Sequence, residues 1–225
     1  MINTVWGITT MPFQSTATSL LSQQKEVADM IQIHAQHGGF SVIIGQPGVG
    51  KTVLREHIEN LNNERQSTVV SCSRTLHTYR QIAQQLADEF KLDCTDKTMD
   101  KALIGAAFEQ VKAMKKLYIL IDEAHLMEVA VLRKLRLLFD RFPKNHNLVL
   151  FGQPELMHML SLSANQDIKS RITYSTTIQP LNDEAMEAYI VKELEQAKMG
   201  INTFDESAMT LIIRSSEGNL RLCRN

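Results

Sequence analysis

The chain has 225 residues, 44% of them hydrophobic and 22% charged, which is typical of one soluble globular domain or of a core with a small appendage. No apolar stretch approaches the roughly 18 to 20 residues that span a bilayer, and the start lacks the features of a signal peptide. The three cysteines lie far apart with no CxxC pair, so reduced thiols and a cytoplasmic location are expected rather than structural zinc or a disulfide framework. A formal net charge of −1 excludes a basic surface over the whole molecule, so any contact with nucleic acid has to be local.

Predicted strands and helices alternate along the first 180 residues. The apolar spacing in residues 20–37 predicts an amphipathic helix, and continuous apolar runs predict five strands. These strands are "GGFSVIIG", residues 67–72, 117–122 and 147–152, and a part of "ITYSTTIQPL", with helical patterns between the first four. Strands of this kind, alternating with helices, are typical of a parallel sheet that is covered on both faces.

After Pro180 the pattern becomes entirely helical. Helices are predicted at residues 183–198 and 205–215, and a last one begins near Gly218. The sequence therefore predicts an α/β core of residues 1–180, in which 1–38 form an N-terminal segment and helix, and a small helical subdomain of residues 181–225.

The segment "GQPGVGKT" matches the pattern of a phosphate-binding loop and stands between a predicted strand and a predicted helix, as that motif requires. Gly45 and Gly50 allow successive backbone amides to point at phosphate oxygens, and the helix N-terminus adds its positive end. Lys51 supplies a charge for the β- and γ-phosphates, and Thr52 supplies a hydroxyl ligand for Mg²⁺. The predicted ATP site comprises Gly45, Gln46, Pro47, Gly48, Val49, Gly50, Lys51, Thr52 and Val53.

The third predicted strand ends in the carboxylates Asp122 and Glu123, followed by His125. Three interpretations are open: a solvated strand end, the "DEAH" box of a helicase, or a metal-bound nucleotide site. A helicase needs two nucleotide-binding cores, and the chain is too short to contain both. Because strand ends of a parallel sheet share an edge with the phosphate loop, the third interpretation is favoured, with Asp122 holding Mg²⁺ and Glu123 polarising the attacking water.

Three more positions are candidates. Gln153 follows the fourth strand and is either a turn residue before Pro154 or an amide that senses the γ-phosphate. Arg171, or else Lys169, precedes the fifth strand and is a candidate arginine finger for a neighbouring subunit. In the final segment, Arg221 is the candidate for a γ-phosphate contact from the helical subdomain, and Arg224 competes with it.

These motifs together resemble those of the AAA+ ATPases over nearly the whole chain. "GQPGVGKT" resembles the Walker A motif, "LYILIDEAH" the Walker B motif, Gln153 the sensor 1 position, Arg171 the arginine-finger region and "GNLR" the sensor 2 region. The resemblance implies a P-loop NTPase sheet with a helical lid, hydrolysis of ATP with Mg²⁺, and a homo-oligomer, ring or filament, with active sites between subunits.

Within the AAA+ proteins, the chain is most similar to the ExeA/GspA-like branch, which includes the TniB, TnsC and MuB-like ATPases of transposons. "WGITTMPF", "LRLLFDRFPKNHNLVLFGQPEL" and "SRITYSTTIQPL" are the segments that resemble it. His125 departs from the pattern, since many ExeA-like proteins have glutamine there. The resemblance also implies a lid that is incomplete at Asn225.

Two cellular roles are open for such an ATPase, and a third possibility is a different class of protein. The first role is an ATP-dependent DNA-binding regulator of transposition, with duplex DNA and a transposase as partners. The second is an ATPase for assembly of a secretion apparatus at the envelope. The different class is a scaffold that binds ATP and barely hydrolyses it. Glu123 argues against this class, because it is placed to polarise the attacking water. The absence of a membrane segment and two local basic runs favour DNA. The runs contain Arg133, Lys134, Arg136, Arg141 and Lys144, and Lys112, Lys115 and Lys116.

Overall fold

The computed structural model describes residues 13, 20–62, 66–72 and 78–224 of the chain. They form two compact units, one of residues 21–45 and 51–178 and the other of residues 46–50 and 179–224 together with residues 13 and 20. The segment "WGITTMPF", apart from its last residue, lies outside the described residues. The division into a core of 1–180 and a subdomain of 181–225 stays a prediction.

A five-stranded parallel sheet is the centre of the larger unit. The strands are β1 (Gly39–Ile44), β2 (Ser67–Cys72), β3 (Lys116–Ile121), β4 (His146–Gly152) and β5 (Tyr174–Thr177). Their order across the sheet is β2-β3-β4-β1-β5, and every pair of neighbours is parallel. The prediction of a parallel sheet from five apolar runs is therefore confirmed. All six residues of β1 are buried, as expected for a central strand that is covered on both faces.

Helices flank this sheet along the larger unit. They are α1 (Ser22–His34), α2 (Lys51–Glu59), α3 (Tyr79–Glu89), α4 (Met99–Lys112), α5 (Val129–Phe139), α6 (Pro154–Ser161) and α7 (Gln166–Lys169). One face of α5 is buried, as its helical spacing of apolar residues predicts, and it consists of Leu132, Leu135, Leu138 and Phe139. The sequence pattern does not predict α6 and α7, because α6 has only two buried residues, Leu156 and Leu160, and α7 is a single turn.

A buried side chain ties α1 to the sheet. The amide of Asn147, in β4, donates to the Ile31 carbonyl at 2.8 Å, and its oxygen lies 3.4 Å from the Ser41 hydroxyl. Asn147 has no exposed surface, so these partners offset the free energy of removing its amide from water.

The smaller unit contains the three helices that the sequence predicts near its end. They are α8 (Asp183–Gln196), α9 (Glu206–Ser216) and α10 (Leu220–Arg224). Asn182 caps α8 and Asp205 caps α9, each through a side-chain oxygen that accepts a backbone N–H of the first turn. No helix in the described part of the chain is long and apolar enough to cross a membrane.

Candidate nucleotide-binding and hydrolysis site

Three residues of the predicted site follow three neighbouring strands at the carboxyl edge of the sheet. Gly45 follows β1, Asp122 follows β3 and Gln153 follows β4. Because β4 pairs with β1 on one side and β3 on the other, Gln153 emerges between the other two. The strands β1 and β3 are then about 10 Å apart, two strand spacings. One strand, β4, therefore lies between the end of β3 at Asp122 and the end of β1 at Gly45.

The loop of residues 46–50 has two glycines in the left-handed region, Gly48 at φ 85° and Gly50 at φ 100°. Only glycine adopts this conformation without strain, and it lets backbone amides turn toward a bound anion. A Cβ at Gly48 would lie 2.2 Å from the side-chain oxygen of Asn219. Gly45, in contrast, is buried and continues β1, since its N–H donates to the Gly152 carbonyl at 3.2 Å.

Lys51 begins α2 and is only 9% exposed. Its ammonium group donates to the Gly45 carbonyl at 2.7 Å, which fixes a buried charge at the end of β1. Thr52 follows in the first helical turn and is exposed. The positioned Lys51 ammonium group suits the phosphates of a nucleotide, and the exposed Thr52 hydroxyl at the start of the helix suits their metal ion.

The carboxylate of Asp122 is fixed by two contacts. One oxygen accepts the Glu123 N–H at 2.8 Å, and the other lies 3.3 Å from the Arg55 Nε. Arg55 also pairs with Glu59 on the same helix. Sequence reasoning missed Arg55, although its position one helical turn after Lys51 places it on the same helix face. Mg²⁺ prefers oxygen ligands such as the Asp122 carboxylate and the Thr52 hydroxyl, so the residues present fit this ion.

Glu123 has an unusual backbone conformation, with φ 51° and ψ 34°. This left-handed geometry is uncommon for a residue with a side chain, and such strain is concentrated at functional sites. His125 lies beside it, with its Nδ1 atom 3.5 Å from a Glu123 carboxylate oxygen. The His125 side chain is 10% exposed, and Nδ1 is buried without a hydrogen-bond partner among the described residues. No role is assigned to His125 from the sequence, and the structure places it against the candidate catalytic carboxylate.

Gln153 occupies the N-cap position of α6, directly after β4. Its side chain is half-buried and makes no capping hydrogen bond to the helix. The amide therefore does not cap the start of the helix, and both interpretations of Gln153, as turn residue and as phosphate sensor, stay predictions.

Arg171 lies at the opposite edge of the sheet from these residues. It lines a cavity with Gly39, the first residue of β1, and Thr173, which precedes β5. Its guanidinium group lies 3.5 Å from an Asp140 carboxylate oxygen. A strand of six residues separates the two edges by about 20 Å. Arg171 is therefore too far away to act on a nucleotide held at Lys51 of its own chain.

The two candidate arginines of the smaller unit have different surroundings. The Nε atom of Arg224 donates to the Tyr189 hydroxyl at 2.9 Å. Arg221 is exposed, and its backbone N–H donates to the Gly48 carbonyl at 3.3 Å. The amide of Asn219 donates to the Pro47 carbonyl at 2.7 Å. The start of α10 therefore contacts the phosphate loop, and Arg221 lies next to this contact.

The basic residues of α5 do not form one uniform face. Arg133 donates to the Ala164 carbonyl at 2.5 Å and to the Asn165 side chain at 2.9 Å, so it braces the segment after α6. Lys134 lies over the Tyr79 ring, 5.9 Å from its centroid. These contacts make Arg133 a structural residue, and they weaken the hypothesis that this run contacts DNA.

The sheet order, the glycine loop that enters a helix at Lys51, and the carboxylates that follow β3 define a P-loop nucleotide-binding protein. Residues 33–160, more than half of the chain, match the AAA domain family. The chain belongs to the AAA domain family, and its fold is that of the AAA+ ATPases.

A curated relative and solved structures agree with this assignment. The chain is 31% identical over 193 residues to general secretion pathway protein A of Aeromonas hydrophila, a match that covers 82% of this chain and 35% of the relative. This chain therefore spans about a third of that protein. The resemblance to the ExeA/GspA-like ATPases is thus confirmed, and the resemblance to TniB, TnsC and MuB-like proteins stays a prediction.

Among solved structures, the fold is similar to that of Cdc6p from Pyrobaculum aerophilum, with a TM-score of 0.71, 15% identity and coverage of 94% of this chain and 62% of that one. It is also similar to the Aeropyrum pernix ORC1 protein in complex with DNA, with a TM-score of 0.61, 14% identity and coverage of 92% and 58%. At these identities the similarity shows the fold alone.

Proposed function

We propose that the protein hydrolyses ATP with Mg²⁺ as a homo-oligomer whose active sites lie between subunits. The proposal rests on the placement of Lys51, Asp122, Glu123 and Gln153 at one edge of a parallel sheet. Each of these residue types suits one task of phosphoryl transfer to water: holding phosphates, holding the metal, activating the water and sensing the γ-phosphate.

The chemical roles follow from the surroundings of each side chain. Magnesium, when bound, would be held by Thr52 and Asp122 and would neutralise phosphate charge. Lys51 holds the β- and γ-phosphates, and Glu123 accepts a proton from the attacking water. Arg55 keeps the Asp122 carboxylate in one orientation through their 3.3 Å contact. Gln153 is proposed to orient the water or the γ-phosphate.

Two arginines complete the proposed site from outside the sheet edge. Arg221 is proposed as the γ-phosphate contact of the helical subdomain, which its neighbourhood to Gly48 supports, whereas Arg224 is engaged by Tyr189. Arg171 is proposed as the arginine finger of a neighbouring subunit, because it is exposed and lies at the edge opposite its own site.

Replacing Arg171 with alanine is expected to reduce kcat for ATP hydrolysis by about 10³-fold or more while ATP binding is retained. Phosphate release and binding of a fluorescent ATP analogue measure the two effects. Lys169→Ala, two residues earlier and also exposed, is the matched variant and should remain active. If Lys169→Ala loses activity instead, the finger is Lys169.

A mixing experiment tests whether the effect acts between subunits. An Arg171→Ala subunit has an intact nucleotide site, and a Glu123→Gln subunit has an intact finger. Mixed oligomers should therefore recover hydrolysis that neither variant shows alone. Failure to recover it would contradict an active site shared between subunits.

For the cellular role, we propose an ATP-dependent DNA-binding regulator of transposition that acts with a transposase. The fold shared with a protein whose structure was solved in complex with DNA supports the DNA-binding part. The alternative is an ATPase for assembly of a general secretion pathway, which the 31% identity to general secretion pathway protein A favours. DNA binding separates the two roles.

The Glu123→Gln protein is expected to bind labelled duplex DNA with Mg·ATP and not with Mg·ADP, because the substitution retains the ATP-bound assembly. Binding through phosphate contacts should weaken steeply as salt rises, and it should depend little on sequence. Fluorescence anisotropy near physiological salt measures both properties. ATP-dependent oligomers that bind no DNA in either nucleotide state would contradict the transposition role and favour the secretion role.

A further inference from the structure

A cavity of about 400 Å³ opens at the amino-terminal edge of the sheet. His37 and Gly39 line it at the start of β1, His146 at the start of β4, and Thr173 just before β5. Its volume is within the range of small-ligand pockets. It lies about 20 Å from Lys51, the length of a six-residue strand. The cavity is therefore separate from the candidate hydrolysis site of the same chain.

Positive charge outweighs negative charge in the lining of this cavity. Arg136, Lys144 and Arg171 are three permanent cations, and Asp140 is the one carboxylate among the described lining residues. Burial lowers the pKa of His146 below its ordinary value, against smaller opposing effects of a backbone hydrogen bond and of the nearby Asp140 carboxylate. Its imidazole is therefore neutral near pH 7. The remaining charges favour an anionic ligand.

Arg136 is the most enclosed of the three cations, because Lys144 and Arg171 are both exposed. Its side chain is 19% exposed, compared with 56% for Arg171. Both guanidinium groups share Asp140, at 3.8 Å from Arg136 and 3.5 Å from Arg171, so one carboxylate balances two arginines. The Nε atom of Arg136 is buried and has no hydrogen-bond partner among the described residues. Buried donors without a partner are rare in proteins, and a site for an ion, water or ligand is one explanation for such a donor.

We propose that this cavity binds a phosphate group, with Arg136 and Arg171 as hydrogen-bond donors and Lys144 as a charge at its rim. The planar guanidinium group donates parallel hydrogen bonds that match phosphate oxygens, and a lysine adds an ammonium charge. Asp140 keeps the two arginines together, so the site is organised before the ligand arrives.

The phosphate can come from a free phosphate ester or from the nucleotide of a second copy of this chain. The second source rests on the proposed function, in which Arg171 reaches a neighbouring site. Arg136 and Lys144 have no part in that proposal, so the cavity is tested through them.

The test is calorimetric titration of the Lys51→Ala protein with inorganic pyrophosphate at constant ionic strength. The Lys51→Ala substitution removes the lysine that holds phosphates at the phosphate loop, and it leaves the lining of the cavity unchanged. Saturable binding is expected, weakened about tenfold or more by Arg136→Gln and about threefold by Lys144→Gln. Lys134→Gln is the matched control on the same helix, because Lys134 lies over Tyr79 and does not line the cavity.

No saturable binding to Lys51→Ala, or binding that neither Arg136→Gln nor Lys144→Gln weakens, would overturn the proposal. Lys144 is exposed, so its variant should fold even if Arg136→Gln does not.

The source of the phosphate is then identified with the ATP-loaded Glu123→Gln protein. Loss of self-association in Arg136→Gln indicates the nucleotide of a second copy, and unchanged self-association indicates a free phosphate ester. ATP hydrolysis by the wild-type protein is measured separately, so a failure of the ATPase proposal can be distinguished from a failure of the phosphate-binding proposal.

Discussion

Replacing Glu123 with glutamine is expected to reduce kcat for ATP hydrolysis by about 10²–10⁴-fold, while the dissociation constant for ATP changes by less than about threefold. Glutamine has nearly the shape of glutamate but cannot accept a proton from water. The backbone of Glu123 is fixed in the left-handed region, and its N–H donates to Asp122 at 2.8 Å. The substitution should therefore remove the chemical function and leave the geometry of the site unchanged.

A control in the same segment separates catalysis from stability. Glu128 is exposed and precedes α5, and Glu128→Gln should retain full activity. Steady-state phosphate release gives kcat, and a fluorescent ATP analogue gives the dissociation constant. A Glu123→Gln protein that hydrolyses ATP at the wild-type rate would contradict the proposed role of Glu123. Equal losses of kcat and of ATP binding would point to disruption of the site as a whole.

The sequence predicts the parts of this site that are contiguous in the chain. The phosphate loop and the Asp122–Glu123 pair are recognisable because each requires certain residue types at a fixed spacing after a buried strand. The order of the strands is not encoded in any such spacing. The insertion of β4 between β1 and β3, which places Gln153 between the other two strand ends, appears only in the folded protein.

Contacts between distant segments are the part that sequence reasoning missed. Arg55 faces Asp122 across the end of the sheet, and Asp140 joins Arg136 and Arg171 from two separate elements. A charged residue on an amphipathic helix has the same local pattern whether it meets solvent or an ion pair. Its role therefore cannot be read from periodicity, and a basic run that suggests DNA contact can contain structural residues such as Arg133.

Gly38→Ala is expected to lower the free energy of unfolding by about 2 to 5 kcal/mol, from left-handed strain together with steric overlap. Gly38 has φ 80°, and a Cβ there would lie 1.9 Å from the carbonyl oxygen of Lys144. The backbone of residue 38 fixes the position of this Cβ, and the Lys144 carbonyl is also backbone. No flexible side chain can therefore move away to relieve the overlap. Urea unfolding monitored by circular dichroism measures the change.

Gly105→Ala is the matched control, and the opposite sign is expected. Gly105 lies inside α4, and apart from its neighbours and the backbone of that helix, no atom of the described residues lies within 4 Å of a Cβ placed there. Alanine should raise the free energy of unfolding by about 0.5–1 kcal/mol, because it favours helix over the unfolded chain. If Gly38→Ala were as stable as the wild type, the close approach of residue 38 to Lys144 would be wrong, and with it the shape of the cavity that both residues line.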